Sequence, residues 1–423
     1  MNMDLSVSLS PRAWTHVKLP LSKSITNRVM ILEALACGSI SLLDSELSSY
    51  DICDDIEAMR NALTSKDTHI NVGGAGTAMR FLTAYYAVQQ GRETFLDGDE
   101  RMRQRPLGTL VGALRHMGAS IDYLAEEGFP PLHIAGRKLH GGALHIDGGV
   151  SSQFISALLM IAPLCGGISL TIDGDIVSQS YIDMTINLMC RYGVDAKWDG
   201  NAIVVPEGKY AHRHLAIEAD WSAASYWLAM KALLPESKIT LAGLNRNSMQ
   251  GDQAIIELME PLGVTVDYLD DKVLGYEKKQ LPKLYERNLA STPDLVPTLV
   301  VTLCLLRVPF HLTGLQSLHI KESDRIEALR VELAKLGYTV GCDHSTMSYD
   351  GNHTEPPHEV LINPHGDHRI AMAMSLAATR HRGITIKDAQ VVTKSYPSWW
   401  KALCLDNRES EIEDRGLRIE YRK

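Results

Sequence analysis

The sequence predicts an α/β protein of two globular domains, assembled from six copies of one βαβ-type unit. Three observations lead there. A short polar run opening an Ala/Leu-rich helical stretch recurs six times, a similar strand follows each stretch, and a second echo of helix end, glycine and strand recurs four times. The units exceed the size of solenoid repeats and fill the whole chain, which argues for globular packing.

The polar runs come in this order: Ser22–Arg28, Gly73–Arg80, Ser151–Gln153, Asp220–Ser222, Ser291–Asp294 and Gly366–Arg369. The last five start roughly 70 to 80 residues apart, and the first gap is shorter. The strands expected after the helices are Ile40–Asp44, Thr94–Gly98, Leu170–Gly174, Ile239–Gly243, His311–Gly314 and Ile384–Asp388. The second echo is Arg115–Tyr123, Arg191–Trp198, Glu260–Tyr268 and Ala334–Cys342, each with a glycine where a helix would stop in the left-handed conformation. The polar stretch Asp267–Arg287 reads as a surface hairpin, Pro206–His214 as the softest boundary between two halves, and Asn407–Lys423 as a charged, exposed tail. A helix start carries free N–H groups and the positive end of a dipole. Small polar residues and cations at several such starts suit a highly charged anion.

The composition narrows the function. A length of 423 residues and a hydrophobic content of 45% fit two domains with sizeable cores. The net charge of −9 disfavours a nucleic-acid or membrane-surface role. An acidic chain that gathers Lys and Arg beside Gly/Ser/Thr helix starts points to a small anionic ligand; the bland alternative is cations on solvated faces. Seven cysteines, with no Cys-x-x-Cys, read as buried, reduced thiols in a cytosolic protein. The first residues lack the pattern of a signal peptide, and the apolar runs Phe154–Leu164 and Leu299–Leu306 are too short to span a bilayer.

Each motif alone is open to two readings. Gly73–Arg80 lacks the P-loop and Rossmann patterns and is either an anion cradle or only a turn. In Lys321-Glu-Ser-Asp-Arg325, Glu322 and Asp324 either complement a helix dipole, or Lys321 and Arg325 face a ligand one helical turn apart with Glu322 as acid or base. Asp367 and Asp294 read as helix-cap or first-turn acids. His368 has no second His or Cys at ligand spacing, so metal binding is not expected.

Taken together, eight blocks running from Leu19 to Pro397 resemble the 5-enolpyruvylshikimate-3-phosphate (EPSP) synthase family. They are Pro20–Ser24 with Arg28, Ala75–Arg80, Gly98–Pro106, Val150–Phe154, Val177–Ser178 with Tyr181–Asp183, Lys321–Arg325, Asp367–Met372, and Lys394 with Pro397. The resemblance implies a two-domain enolpyruvyl transferase fold, each domain three βαβαββ units with helix N-termini facing the interdomain cleft. It implies domains at 19–218 and at 1–18 with 219–423, and domain closure on ligand.

It further implies transfer of the enolpyruvyl group of phosphoenolpyruvate (PEP) to the 5-hydroxyl of shikimate 3-phosphate by addition and elimination, in aromatic amino-acid biosynthesis. By similarity, Ser24, Arg28, Ser151, Ser152, Gln153, Ser178, Tyr181 and Lys321 hold shikimate 3-phosphate, and Lys23 lies between the substrates. Gly76, Thr77, Arg105 and Gln153 meet the PEP phosphate; Arg325, Arg369 and Lys394 meet its carboxylate. Asp294 takes the proton of the attacking hydroxyl, Glu322 exchanges the proton at C3, and Lys23 serves as acid for leaving phosphate. Lys23 is expected to be an exposed cation that contributes little to folding. The family needs neither metal nor cofactor, and a cytoplasmic monomer is expected. Gly74, Phe81, Gln104 and Ser317 depart from the family's usual residues. The alternatives are the sister transferase acting on UDP-N-acetylglucosamine, whose loop carries a reactive Cys that Gly98–Pro106 lacks, and a non-catalytic phosphometabolite-binding relative.

Overall fold

The computed structural model describes residues 3–48, 50–268 and 272–404. They divide into two compact units: Leu21–Ile217, and the described residues up to Pro20 together with those from Glu218 on.

Four stretches of chain build the same four-stranded sheet. In Leu21–Ile217 the first sheet contains His69–Asn71, Glu93–Asp97, Ser120–Tyr123 and Leu132–Ala135, with the last strand inserted between the second and third. The second contains Gly142–Asp147, Ile168–Asp173, Lys197–Asp199 and Ala202–Val205 in the same order. In both, the first two strands are parallel and joined through a helix, and the rest are antiparallel. The other unit repeats this with Tyr285–Asn288, Phe310–Thr313, Gly341–Cys342 and Met347–Tyr349. It repeats it again with Ala13–Lys18, Lys238–Ala242, Val264–Tyr268 and Lys272–Tyr276, the parallel pair here joining the N-terminal segment to the C-terminal half. A three-stranded sheet of Leu5–Val7, Ile384–Ile386 and Val360–Ile362 completes that unit. The hairpin read over Asp267–Arg287 is displaced: Val264–Tyr268 pairs with Lys272–Tyr276, while Tyr285–Arg287 belongs to the strand beside Phe310–Thr313; the tail Asn407–Lys423 lies outside the described residues.

Five of the six expected strands are found. The exception is Ile40–Asp44, which lies in and before a helix, Ser41–Leu47. Ile40, Leu43 and Leu47 are buried at helical spacing, so only a helix turns all three inward. Asp44 then meets Arg60 from the next helix, Asp54–Thr64. The glycine stops hold: Gly118 has φ 96° and Gly337 φ 81°. A Cβ on Gly337 would come 1.7 Å from the Thr354 carbonyl oxygen, which excludes any other residue there.

Three helices set the positions of the charged groups in the C-terminal unit. Trp221–Leu233, Val296–Leu305 and His368–Ser375 are buried along their whole lengths. Their apolar residues place them in the interior, and the buried polar ones among them, Ser222, Thr298 and Arg369 included, must then find partners inside. The middle one packs against both others, and the Ser225 and Thr298 hydroxyls lie 3.0 Å apart across one contact. Trp14 packs edge-on against Trp227, with ring centroids 5.9 Å apart, and Trp227 against Trp399 at 5.6 Å. Truncating a buried Trp costs about 3–5 kcal/mol, so Trp14 ties the N-terminal segment to this core. In the other unit the buried helices Gly76–Ala87 and Ser152–Ile161 pack together, and Lys23–Cys37 joins them.

Candidate active site

The polar runs do open helices, and several cap them. Ser22 Oγ accepts from Ile25 N, Ser151 Oγ from Gln153 N, Asp220 Oδ1 from Ser222 N, Asp324 Oδ1 from Glu327 N and Asp367 Oδ1 from Arg369 N. These side chains satisfy N–H groups that a buried helix end would leave without partners. Capping is only part of what these acids do: Asp324 also lies 2.7 Å from His319 Nδ1, and Asp367 and Asp294 belong to the charge network below.

In Leu21–Ile217 the central cation is Arg28, 2% exposed. Its Nε donates to Thr185 Oγ1 at 2.7 Å, Nη1 to the Ser24 carbonyl at 2.8 Å, and Nη2 to Ser156 Oγ at 3.1 Å and the Tyr181 carbonyl at 3.2 Å. Its guanidinium also stacks on Phe81, 5.2 Å from the ring centroid, and on Tyr181, at 5.9 Å. Phe81 is one of the residues that depart from the family pattern, so the departure forms part of this cation's support. Burial lowers the Arg28 pKa to about 10, and Tyr181 acts in the opposite sense. A buried guanidinium held by hydroxyls and carbonyls suits an anionic ligand. Ser178 lies in the left-handed region at φ 57°, beside the turn that carries Tyr181.

A second group gathers around Gly76. A Cβ there would lie 2.5 Å from Arg105 Nη1, so glycine lets that guanidinium lie against the helix start. Gln153 Nε2 donates to Thr77 Oγ1 at 3.1 Å, which brings Gly76, Thr77, Arg105 and Gln153 together. Arg80, overlooked as a site residue in the sequence, donates to the Gly76 carbonyl at 3.1 Å. Burial holds its pKa well below the ordinary value, and the charge of Arg105 adds to this.

Lys23 is not the exposed cation expected. Its side chain is 13% exposed and binds Asp55 Oδ2 at 2.9 Å. Asp55 is buried, so losing Lys23 removes a partner from a buried carboxylate and costs folding energy.

The C-terminal unit holds an alternating network of charge. Asp294, just ahead of Val296–Leu305, accepts from Arg325 Nη1 at 2.9 Å through Oδ1 and from Arg369 Nη2 at 2.8 Å through Oδ2. Lys321 Nζ lies 3.9 Å from Asp294 Oδ1. Arg325 also grips Asp367 with two bonds, Nε at 2.7 Å and Nη2 at 3.3 Å. Burial alone would lower the Arg325 pKa, yet Asp367 and Asp294 hold it above the ordinary value. Burial likewise opposes the charge on Asp367, and Arg325 keeps its pKa depressed. Lys321 and Arg325 do not share one helical turn: the helix begins at Arg325, and Lys321 is extended at φ −78°, ψ −156°. They meet at Asp294 instead.

Next to this network Glu322 bridges two partners. Its Oε1 lies 3.2 Å from Lys394 Nζ and its Oε2 2.8 Å from His368 Nδ1. Ligand atoms of Glu322, Asp367 and His368 lie within 4.8 Å of one another, as do those of Glu33, Cys37 and His212. In the first group Lys394 and Arg325 already supply positive charge to the two carboxylates. In the second, Glu33 accepts from Tyr192 at 2.6 Å and lies 2.8 Å from His212 Nδ1.

The family model for EPSP synthase (3-phosphoshikimate 1-carboxyvinyltransferase) matches residues 53–403. The chain belongs to the EPSP synthase family. A 3-phosphoshikimate 1-carboxyvinyltransferase of Bacteroides fragilis is 45% identical over 390 residues, covering 92% of this chain and 94% of the relative. One of Vibrio cholerae is 34% identical over 415 residues, covering 91% and 95%. The EPSP synthase structure from Acinetobacter baumannii matches with a TM-score of 0.69 at 22% identity, over 95% of this chain and 97% of that one. The enolpyruvyl transferase NikO from Streptomyces tendae matches with a TM-score of 0.67 at 14% identity, over 100% and 99%. Both share this EPSP synthase family member's fold. No helix of the described residues is long and apolar enough to cross a membrane.

Several polar residues of this family member were not singled out from the sequence as parts of the site: Asp55, Arg80, Ser156, Thr185, Ser222 and Asp252. Arg80 ends a motif that was noticed, so its signal was present. Asp252 and Thr185 carry none, because their partners are far away in the chain.

Proposed function

We propose that this protein transfers the enolpyruvyl group of PEP to the 5-hydroxyl of shikimate 3-phosphate and releases phosphate. The carrying observation is that Arg325 and Arg369 already hold a carboxylate, that of Asp294. Two guanidiniums that grip one carboxylate can accept another of the same geometry. In this reading the PEP carboxylate displaces Asp294, with Lys394 as a third cation. Asp294, released from both guanidiniums, gains basicity and takes the proton of the acceptor hydroxyl. The base therefore becomes active when PEP has arrived.

The rest follows from charge. The hydroxyl oxygen attacks C2 of PEP while C3 takes a proton from Glu322, whose carboxyl lies between Lys394 and His368. Loss of phosphate from the tetrahedral intermediate, with a proton from Lys23 and return of the C3 proton to Glu322, gives the enolpyruvyl ether. The PEP phosphate is read on Gly76, Thr77, Arg105 and Gln153. Shikimate 3-phosphate is read on Ser24, Arg28, Ser151, Ser152, Gln153, Ser178, Tyr181 and Lys321. Such concentrated negative charge is tolerated only among fixed, hydrogen-bonded cations. The same reading takes the protein as a cytoplasmic monomer; of the six described free cysteines, Cys53, Cys165 and Cys304 are buried as expected, whereas Cys37, Cys190 and Cys342 are exposed, and exposed free thiols fit a reducing compartment. Phosphate release with both substrates, and its absence with either alone, tests the proposal.

A further inference from the structure

Asp252 stands beside this network and belongs to none of the roles above. It lies in the turn Gly251–Ala254 and is 4% exposed. Its Oδ2 is hydrogen-bonded to the Ser222 hydroxyl. Its Oδ1 is buried and accepts no hydrogen bond among the described residues. Ser222 Oγ in turn lies 3.4 Å from Arg369 Nη2, the nitrogen that donates to Asp294 at 2.8 Å. A line of contacts therefore runs from Asp252 through Ser222 to Arg369 and Asp294.

Two carboxylates, Asp294 directly and Asp252 through Ser222, bear on the Arg369 guanidinium, and Arg325 and Lys321 are further cations at Asp294. An ionised Asp252 adds negative charge beside the guanidinium that holds Asp294. We propose that Asp252 is a positioning residue: through the Ser222 hydroxyl it orients Arg369, and when ionised it competes with the substrate carboxylate for that guanidinium. This rests on the reading that Arg369 receives the carboxylate of PEP.

The surroundings set when each state is present. Burial and the charge of Asp294 push the Asp252 pKa up to about 7, Arg369 and the Ser222 hydrogen bond pull against them, and Asp220 adds to the rise. Below that value Asp252 is neutral and Arg369 is free to exchange Asp294 for the substrate. Above it the extra negative charge weakens the hold on an incoming carboxylate. By linkage, the arriving carboxylate raises the proton affinity of Asp252, which takes its proton from solvent.

The test is the pH profile of kcat/KM for PEP, at saturating shikimate 3-phosphate, in wild type, Asp252→Asn and Ser222→Ala. Titrations of PEP and of the other enzyme groups cancel in the quotient of variant over wild type. For Asp252→Asn the quotient should be flat below about pH 6 and rise about three- to tenfold by pH 8.5, with its midpoint near 7. Ser222→Ala removes a bond that favours ionised Asp252, so its own alkaline decline should move to higher pH. If Asp252→Asn does not fold, that displacement carries the test. A quotient independent of pH, as a purely structural role would give, overturns the proposal, as does one that falls with pH or an unmoved decline in Ser222→Ala. Failure of the functional reading looks different: wild type then releases no phosphate at any pH.

Discussion

Replacing Asp294 by Asn should have opposite effects on PEP binding and on turnover. Asp294 holds Arg325 and Arg369 through charge-assisted bonds of 2.9 and 2.8 Å. Each bond of this class is worth about 1.5–3 kcal/mol. Asn keeps one neutral acceptor, so the variant forfeits about one such bond, and PEP no longer has to displace it. At 1.4 kcal/mol for each factor of ten, PEP should bind roughly 10- to 150-fold more tightly. Turnover should fall about 10²–10⁴-fold, because the amide cannot take the hydroxyl proton. Titrating PEP by calorimetry with wild type and variant measures the first effect, and phosphate release the second. Unchanged or weaker PEP binding in the variant would refute the exchange of one carboxylate for another.

Three further outcomes follow from the same contacts. Asp367→Asn leaves buried Arg325 one neutral acceptor in place of a two-bonded carboxylate and should cost about 1.5–3 kcal/mol in urea unfolding, a loss under about 1 kcal/mol contradicting this. Because the folded Asp367 pKa is depressed, that stabilisation is present above its ordinary value of 3.8 and disappears as pH falls through the folded value; the variant should lose this dependence. Glu322→Gln should lower kcat about 10²–10⁴-fold together with solvent-deuterium exchange at C3 of PEP, and intact exchange would reduce Glu322 to a partner of Lys394 and His368. Arg369→Lys cannot copy the guanidinium geometry and should mainly raise the KM for PEP by a contact worth about 1.5–3 kcal/mol, visible as an unequal split between KM and kcat.

The repeat was legible because its signals are local. A polar cap, a run of buried helix and a glycine stop lie within a few residues of each other, as Asp220–Leu233 and Ala334–Gly337 show. The first unit misled for the same reason. Ile40–Asp44 matches the strand pattern, yet the helix is decided by Leu47 and by Arg60 from the following helix. Some charged residues of the candidate site were also legible, since Lys23, Arg28, Asp294, Arg325 and Arg369 lie in or beside the first turn or two of a helix, whereas Arg105, Lys321 and Lys394 do not. What each one touches was not. Arg325 reads as a ligand-facing cation, but it is buried between Asp367 and Asp294, which lie 42 and 31 residues away in the chain. Lys23 reads as exposed until Asp55, 32 residues on, is seen to hold it. Asp252 has no local mark at all; its meaning comes from Ser222, 30 residues earlier.

The central claim is that the paired guanidiniums, the Glu322 bridge and the Arg28 centre serve one enolpyruvyl transfer. The most direct measurement is inorganic phosphate released by the purified protein with PEP and shikimate 3-phosphate, alongside mass analysis of the organic product. The account predicts one phosphate for each enolpyruvyl ether formed, none with either substrate alone, and none when a UDP-amino sugar replaces shikimate 3-phosphate. Binding of both substrates without phosphate release, or release with the UDP-amino sugar instead, would contradict it.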